Sequence, residues 1–330
     1  MNFLNERRLP KGRNALSELS LGCAQLGNLY REVSDDDARA TVDAAWQIGV
    51  RYFDTAPHYG LGLSERRLGT ALASRPRDGY VLSSKVGRLL EPAEAVEGLD
   101  DDGYVVPATH RRIWDFSRNG IRRSLAESLE RLGLERVDVV YLHDPDDHVE
   151  DVLDSGFPAL AELRGEGAVG AIGAGMNDAA VLARLVRETD MDIVMLAGRY
   201  TLLEQDSLDD LLPACEERGV AVVAAGVFNS GILARPEPPE QAKYDYVDAP
   251  AELLERARAI ARVCERHGTT LPAAAIAFPL AHPAVVSVCV GARSPEQIEE
   301  NAASYAHAVP TGLWAELKAD GLLREHAPTP

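Results

Sequence analysis

Four side chains of different chemistry fall at or just beyond the ends of three successive apolar runs. Asp54 closes RYFD, Lys85 closes YVLSSK and His143 closes VDVVYLH, while Tyr59 lies in the loop TAPHYG that follows Asp54. An acid, an amine, an imidazole and a phenol in one space form a proton-transfer set. A tyrosine ordinarily ionises near ~10, and a neighbouring ammonium is expected to bring that value toward working pH. In this reading Lys85 supplies the charge and Asp54 keeps the ammonium protonated. Tyr59 gives or takes the proton, and His143 hydrogen-bonds and orients a substrate oxygen. The chemistry is acid–base work on an alcohol or a carbonyl. Taken singly, each residue has an ordinary use: a strand-end aspartate caps a turn, a lysine snorkels, a histidine or tyrosine packs. Their coincidence on three neighbouring strand ends is what argues for a site.

Elements that could hold such a set are legible in the hydrophobic pattern. Short β-branched or aromatic runs at 19–23, 51–54, 80–85, 137–143, 169–174, 192–196, 220–225 and 284–290 alternate with longer helical stretches. Ser34 followed by three aspartates predicts a helix start, and Gly49 its end. Ile121, Leu125, Leu129 and Leu132 mark one face of a second helix that stops at Gly133. Weaker helical patterns cover 63–74, 157–166, 178–188, 204–218 and 252–267. Eight strands, nearly all followed by a helix, predict an α/β chain of the (β/α)₈ TIM-barrel class, whose active sites lie at the C-terminal ends of the strands. No linker or change of composition divides residues 1–330, which read as one domain. Segments 87–119 and 229–249 read as long loops, and the tail after 308 shows no period.

Composition narrows the partners. Lys plus Arg (34) against Asp plus Glu (52) gives a net charge of −18, a surface that repels nucleic acid and anionic membranes. Four scattered cysteines, Cys23, Cys215, Cys264 and Cys289, form no C-x-x-C pair, and no H-x-H pair follows the first strand, so neither a disulfide framework nor a bound metal is expected. The N-terminus has no apolar h-region, and the cytoplasm is the expected compartment. The oligomeric state is left open.

The segments YFDTAPHYG–x–SE, LSSKVG, VDVVYLHDPD and GARSPEQIEEN resemble the aldo-keto reductase family in order and spacing, over nearly the whole chain. The resemblance implies hydride transfer between a nicotinamide cofactor and a carbonyl or alcohol, with Asp54, Tyr59, Lys85 and His143 as the catalytic tetrad. It also implies cofactor contacts at Gly22, Ala24, Gly175, Asn177 (or its neighbour Met176) and Tyr200. A phosphate-side loop falls on Asn229, Ser230, Gly231 and Leu233, and adenosine-side contacts on Gly291, Arg293, Gln297 and Asn301. Two positions depart from the family pattern: Ala197 stands for a usual glutamine, and Ala225 for the aromatic that stacks on nicotinamide. Gly291 and Gln297 occupy places where NADP-selective members put cations, which favours NAD and leaves NADP possible through Arg293. Read without the family, 291–301 is also a strand-to-helix turn capped by Ser294 and Pro295.

Further segments, among them LGCAQLGNLY and WDFSRNGIRRSLAESLERLGL, resemble the sugar-oxidising branch of that family. That branch turns the hemiacetal of aldoses such as L-fucose, L-galactose or D-arabinose into a lactone with NAD. Tyr30 and Trp114 are candidate platforms for a sugar beside His143, although Trp114 could equally anchor its loop. Oxidation of pyridoxal, general NADPH-dependent reduction of aldehydes and ketones, and cofactor sensing without turnover are the alternatives.

Overall fold

The computed structural model describes residues 4–12, 14–94, 98–245 and 247–330. Its centre is a closed parallel barrel of eight strands: β1 (Leu19–Gly22), β2 (Tyr52–Asp54), β3 (Val81–Val86), β4 (Val139–His143), β5 (Ala171–Met176), β6 (Ile193–Ala197), β7 (Ala221–Ala225) and β8 (Val285–Gly291). They follow one another in chain order, and β8 pairs with β1 to close the ring. This is the (β/α)₈ barrel that the sequence predicts.

Strand alternation sends side chains both ways. Outward residues such as Phe53, Leu82, Val140 and Ile172 pack against the helices in one large core. Inward residues, including Tyr52, Val139, Tyr141, Ile193, Met195 and Val223, fill the bore. A hairpin the sequence reading did not foresee, Glu6–Arg8 with Ala15–Ser17, adds Leu9 and Leu16 to the bore cluster and closes the N-terminal end. There the Ser17 hydroxyl accepts from the backbone of Arg51 and Tyr52.

The helix signals act as local chemistry dictates. Ser34 accepts from the Asp37 N–H to start the helix Asp35–Ile48, which ends at Gly49 with φ 111°. Ser117 accepts from the Gly120 N–H to start Arg118–Leu132, and Gly133 ends it with φ 65°. These helices return the chain to the same end of the barrel, so that the strand termini carrying Asp54, Lys85 and His143 open on one side.

The aperiodic segments are not structureless. Within 87–119 an antiparallel hairpin pairs Arg88–Pro92 with His110–Trp114, and within 229–249 a small one pairs Lys243–Tyr244 with Val247–Asp248. Residues 95–97 of the first segment and Tyr246 of the second lie outside the described residues. The tail holds the helix Thr311–Ala319. Another helix, Leu271–Leu280, has no amphipathic stripe to read because its sequence LPAAAIAFPL is apolar on nearly all sides and buried. Among the described residues no helix is long and apolar enough to cross a membrane.

Candidate active site

The register of β2, β3 and β4 brings three strand ends together, and the lysine ties them. Lys85 Nζ donates to Asp54 Oδ2 at 2.5 Å, to the Thr55 carbonyl at 3.1 Å and to the Tyr59 hydroxyl at 3.0 Å. An ammonium has three donors and no acceptor, so all its capacity is spent. Tyr59 oxygen is therefore the acceptor in that pair, and the phenol's own proton is left for another partner. The Asp54 carboxylate is fixed at both ends, for Oδ1 accepts from Ser83 at 2.7 Å. Because Ser83 spends its proton there, it accepts from Tyr52 at 3.0 Å, and Tyr52 accepts in turn from Tyr141 at 3.0 Å. Sequence reasoning passed over Ser83. Its signal was available: it stands two residues before Lys85 and so shares that residue's strand face.

Backbone contact fixes the loop that carries Tyr59. Gly60 has φ 64°, and a Cβ there would lie 2.2 Å from the Gly27 carbonyl oxygen. Only glycine permits that approach. The Ser64 hydroxyl donates to the Cys23 carbonyl at 2.7 Å and pairs with Thr55 at 2.8 Å, stitching the loop to β1.

The electrostatics depart from expectation at the tyrosine. Burial pushes the Tyr59 phenol well above its ordinary value, and Asp54 and Asp144 push in the same direction. The expected lowering by the ammonium is outweighed, so Tyr59 is a protonated donor at neutral pH. His143 is held well below its ordinary value by burial and by the cations Arg88 and Lys85, and is neutral. Its Nε2 lies 3.5 Å from Asp144 Oδ2, while Nδ1 is buried with no partner among the described residues. His58, which packs edge-on against Tyr59 and His143, is lowered to about 2 by burial and nearby cations. Arg88 lies 3.3 Å from its Nδ1 and can only donate, which leaves the ring proton on Nε2.

The tetrad faces a cavity of about 240 Å³ whose other wall is small and apolar: Gly175, Ala197, Ala225, Gly226 and Gly291, with Met176 and Met195. Such a wall admits a flat ring. Gln25, at its edge, has a buried Oε1 with no partner among the described residues, and a Cβ on Gly291 would lie 2.3 Å from its amide nitrogen. An unsatisfied amide beside a glycine-lined surface fits a nicotinamide carrying its own carboxamide.

The structure places the sequence-predicted residues unevenly. Asp54, Tyr59, Lys85, His143, Gly22, Ala24, Gly175 and Gly291 all line the cavity. Asn177 does not: it is exposed beyond the end of β5, and Met176 takes the lining position. Tyr200 is also off the cavity, buried against Phe278 and His282 with ring centroids 5.1 and 5.6 Å away. In the 229–233 loop, the N–H groups of Asn229, Gly231 and Leu233 donate to the loop's own Gly226 and Phe228 carbonyls rather than being presented outward. Ser230 is exposed with φ 58°. Gln297 caps the turn, its side chain accepting from the Arg293 N–H at 3.0 Å, and Asn301 lies on the following helix. Arg293 is half-buried within electrostatic range of Arg31 and has no carboxylate partner among the described residues. Trp114 is off the cavity too: Arg88 lies 4.2 Å from its ring centroid, and Phe116 and His148 pack on it. Tyr30 is 59% exposed beside Gly103, outside the lining. Gln25, Asp144, Met195, Gly226 and Cys289 line the cavity without having been singled out.

A parallel eight-stranded barrel with a Tyr–Lys–Asp–His proton-transfer set at its C-terminal mouth defines a class of carbonyl and alcohol oxidoreductases. The chain belongs to the Aldo/keto reductase family, whose model it matches over residues 18–319. It is thereby a nicotinamide-dependent oxidoreductase acting on CH–OH groups. It is 52% identical to a D-threo-aldose 1-dehydrogenase of a Pseudomonas species, with 96% of each chain covered. A pyridoxal 4-dehydrogenase of Microbacterium luteolum is 40% identical over 96% of this chain and 98% of its own. An L-galactose dehydrogenase of Arabidopsis thaliana is 31% identical over 90% of this chain and 87% of its own. Among solved structures, a glycerol dehydrogenase of Gluconobacter oxydans superposes with a TM-score of 0.77 at 24% identity, covering 98% of this chain and 97% of that one. That likeness concerns the fold alone.

Proposed function

We propose that the protein oxidises the anomeric carbon of an aldose of the L-fucose, L-galactose or D-arabinose type to a lactone, with NAD as the working cofactor. The observation that carries the proposal is the fully spent Lys85 ammonium, which supports Tyr59 as the proton-exchanging group by leaving the phenol's own proton for a substrate. The 52% identity to an aldose 1-dehydrogenase supports the substrate class. Tyr59, as phenolate, takes the proton of the anomeric hydroxyl, and neutral His143 donates a hydrogen bond to the same oxygen. Gln25 and the Gly175–Ala197–Ala225 wall would hold the nicotinamide, which supplies hydride acceptance when bound. NAD is favoured because Gly291 and Gln297 offer no cation to a 2′-phosphate and Gln297 is committed to the turn. Arg293, beside Arg31, is the residue through which NADP would also be served.

Pyridoxal is the second reading, supported by the 40% identical relative; its cyclic hemiacetal presents the same reacting group. Absorbance of reduced nicotinamide, with NAD and NADP in parallel, tests both readings against a panel of aldoses, pyridoxal and simple aldehydes. The expected result is turnover of an aldose with NAD. Because burial holds Tyr59 up, the base form becomes populated only as pH rises, so oxidation should accelerate from neutral to alkaline pH while aldehyde reduction slows. Activity confined to aldehydes with NADPH would replace the proposal with general carbonyl reduction. Tight cofactor binding without turnover of any substrate would make the protein a sensor.

A further inference from the structure

Directly after His143, the backbone does something costly. Asp144 has φ 40°, in the left-handed region, and it precedes Pro145, which ordinarily drives the residue before it to extended conformations. Non-glycine residues held in such conformations recur where a side chain must be aimed. What holds it is visible: the Asp144 N–H donates to the Gly175 carbonyl at 2.9 Å, and Oδ2 accepts from Arg88 Nη2 at 2.5 Å. Arg88 is braced in turn by the Trp114 ring and by His58 Nδ1. The carboxylate therefore has a fixed position, lines the cavity and stands 3.5 Å from the catalytic imidazole nitrogen.

A carboxylate offers about four acceptor positions. Arg88 occupies one on Oδ2, and among the described residues Oδ1 accepts no hydrogen bond. The remaining capacity faces a site where the reacting oxygen is held by the neighbouring His143. An aldose ring presents hydroxyls next to its anomeric carbon, whereas a plain aldehyde presents none. Resting on the aldose reading above, we propose that Asp144, braced by Arg88, is a specificity-determining acceptor for a ring hydroxyl adjacent to the reacting carbon. Arg88 is a positioning residue. Its charge opposes the burial that holds the acid above its ordinary value.

The test pairs deletions in protein and in substrate. Initial rates are measured for the wild type, Asp144→Gly and Arg88→Met, with the best aldose and its monodeoxy derivatives, and melting temperature and binding of reduced nicotinamide serve as checks of folding. Glycine tolerates the left-handed backbone, and Arg88→Met leaves residue 144 untouched, so one variant remains informative if the other fails to fold. In the wild type, one deoxy substrate should lose about tenfold or more in kcat/KM, mainly through KM. In Asp144→Gly that same penalty should shrink to about twofold or less, since the partner is already gone, and in Arg88→Met it should shrink in part. A deoxy penalty of undiminished size in folded Asp144→Gly would overturn the inference while leaving aldose oxidation standing. Failure of the wild type to turn over any aldose would overturn that reading and this inference with it.

Discussion

On the β2–β4 side of the barrel mouth the strand ends carry Asp54, Lys85 and His143, all buried, with Asp54 and Lys85 held by named partners. On the β5–β8 side the corresponding ends carry Gly175, Ala197, Ala225 and Gly291, which reach for nothing. The same backbone geometry thus yields two surfaces. One spends its hydrogen bonds on fixing a proton donor, and the other withholds side chains to leave room. The contrast teaches that the chemistry is concentrated in a few over-determined groups, whereas cofactor accommodation depends on volume and is spread across residues with little individual character.

Breaking the polar half should have the largest effect. Tyr59→Phe removes the transferable proton but keeps the ring, so turnover should fall by at least about a thousandfold while binding of reduced nicotinamide, followed by fluorescence, stays near normal. Substantial residual activity would show that another group handles the proton. Filling the empty half should act differently. Gly175→Leu projects bulk into the cavity where a Cβ would stand 3.8 Å from the Lys85 side chain, and it should weaken cofactor binding by about tenfold or more, a change read by titration. Unchanged affinity would mean that the small wall is not the nicotinamide surface. The gentlest probe sharpens the comparison from beneath the tetrad. Ser83→Ala strands Asp54 Oδ1 and the Tyr52 hydroxyl, and chemical denaturation should show a loss of about 1–3 kcal/mol, with a severalfold drop in kcat. An unaltered kcat would detach the support chain from catalysis.

How much of this was legible follows from the same contrast. The polar half could be read because charged residues interrupt apolar strands, and the eight strands could be read because buried parallel strands are nearly continuous apolar runs. Asn177 and Met176 could not be told apart because a one-residue shift at a strand end exchanges a lining position for an exposed one. The packing of the Tyr200 ring against Phe278 and His282, off the cavity, has no signature in the sequence. The tight turns at 229–233, in which the N–H groups of Asn229, Gly231 and Leu233 meet the Gly226 and Phe228 carbonyls, were likewise not legible. Asp144 was invisible because neither its positive φ nor its distance to His143 is written in the sequence HDPD. The hairpin Arg88–Trp114 lacked a signal for the related reason that a long connection, rather than a two-residue turn, joins its strands.

The hydroxyl chain from Asp54 through Ser83 and Tyr52 to Tyr141 runs down the bore and stops there, its members fully buried. Every proton in it points toward the carboxylate, and its far end meets the packed layer above Leu9 and Leu16 rather than water. It is a cul-de-sac and not a conduit. A proton that Tyr59 takes up has no drain through the floor of the barrel, and must return to solvent by the same opening through which the substrate entered.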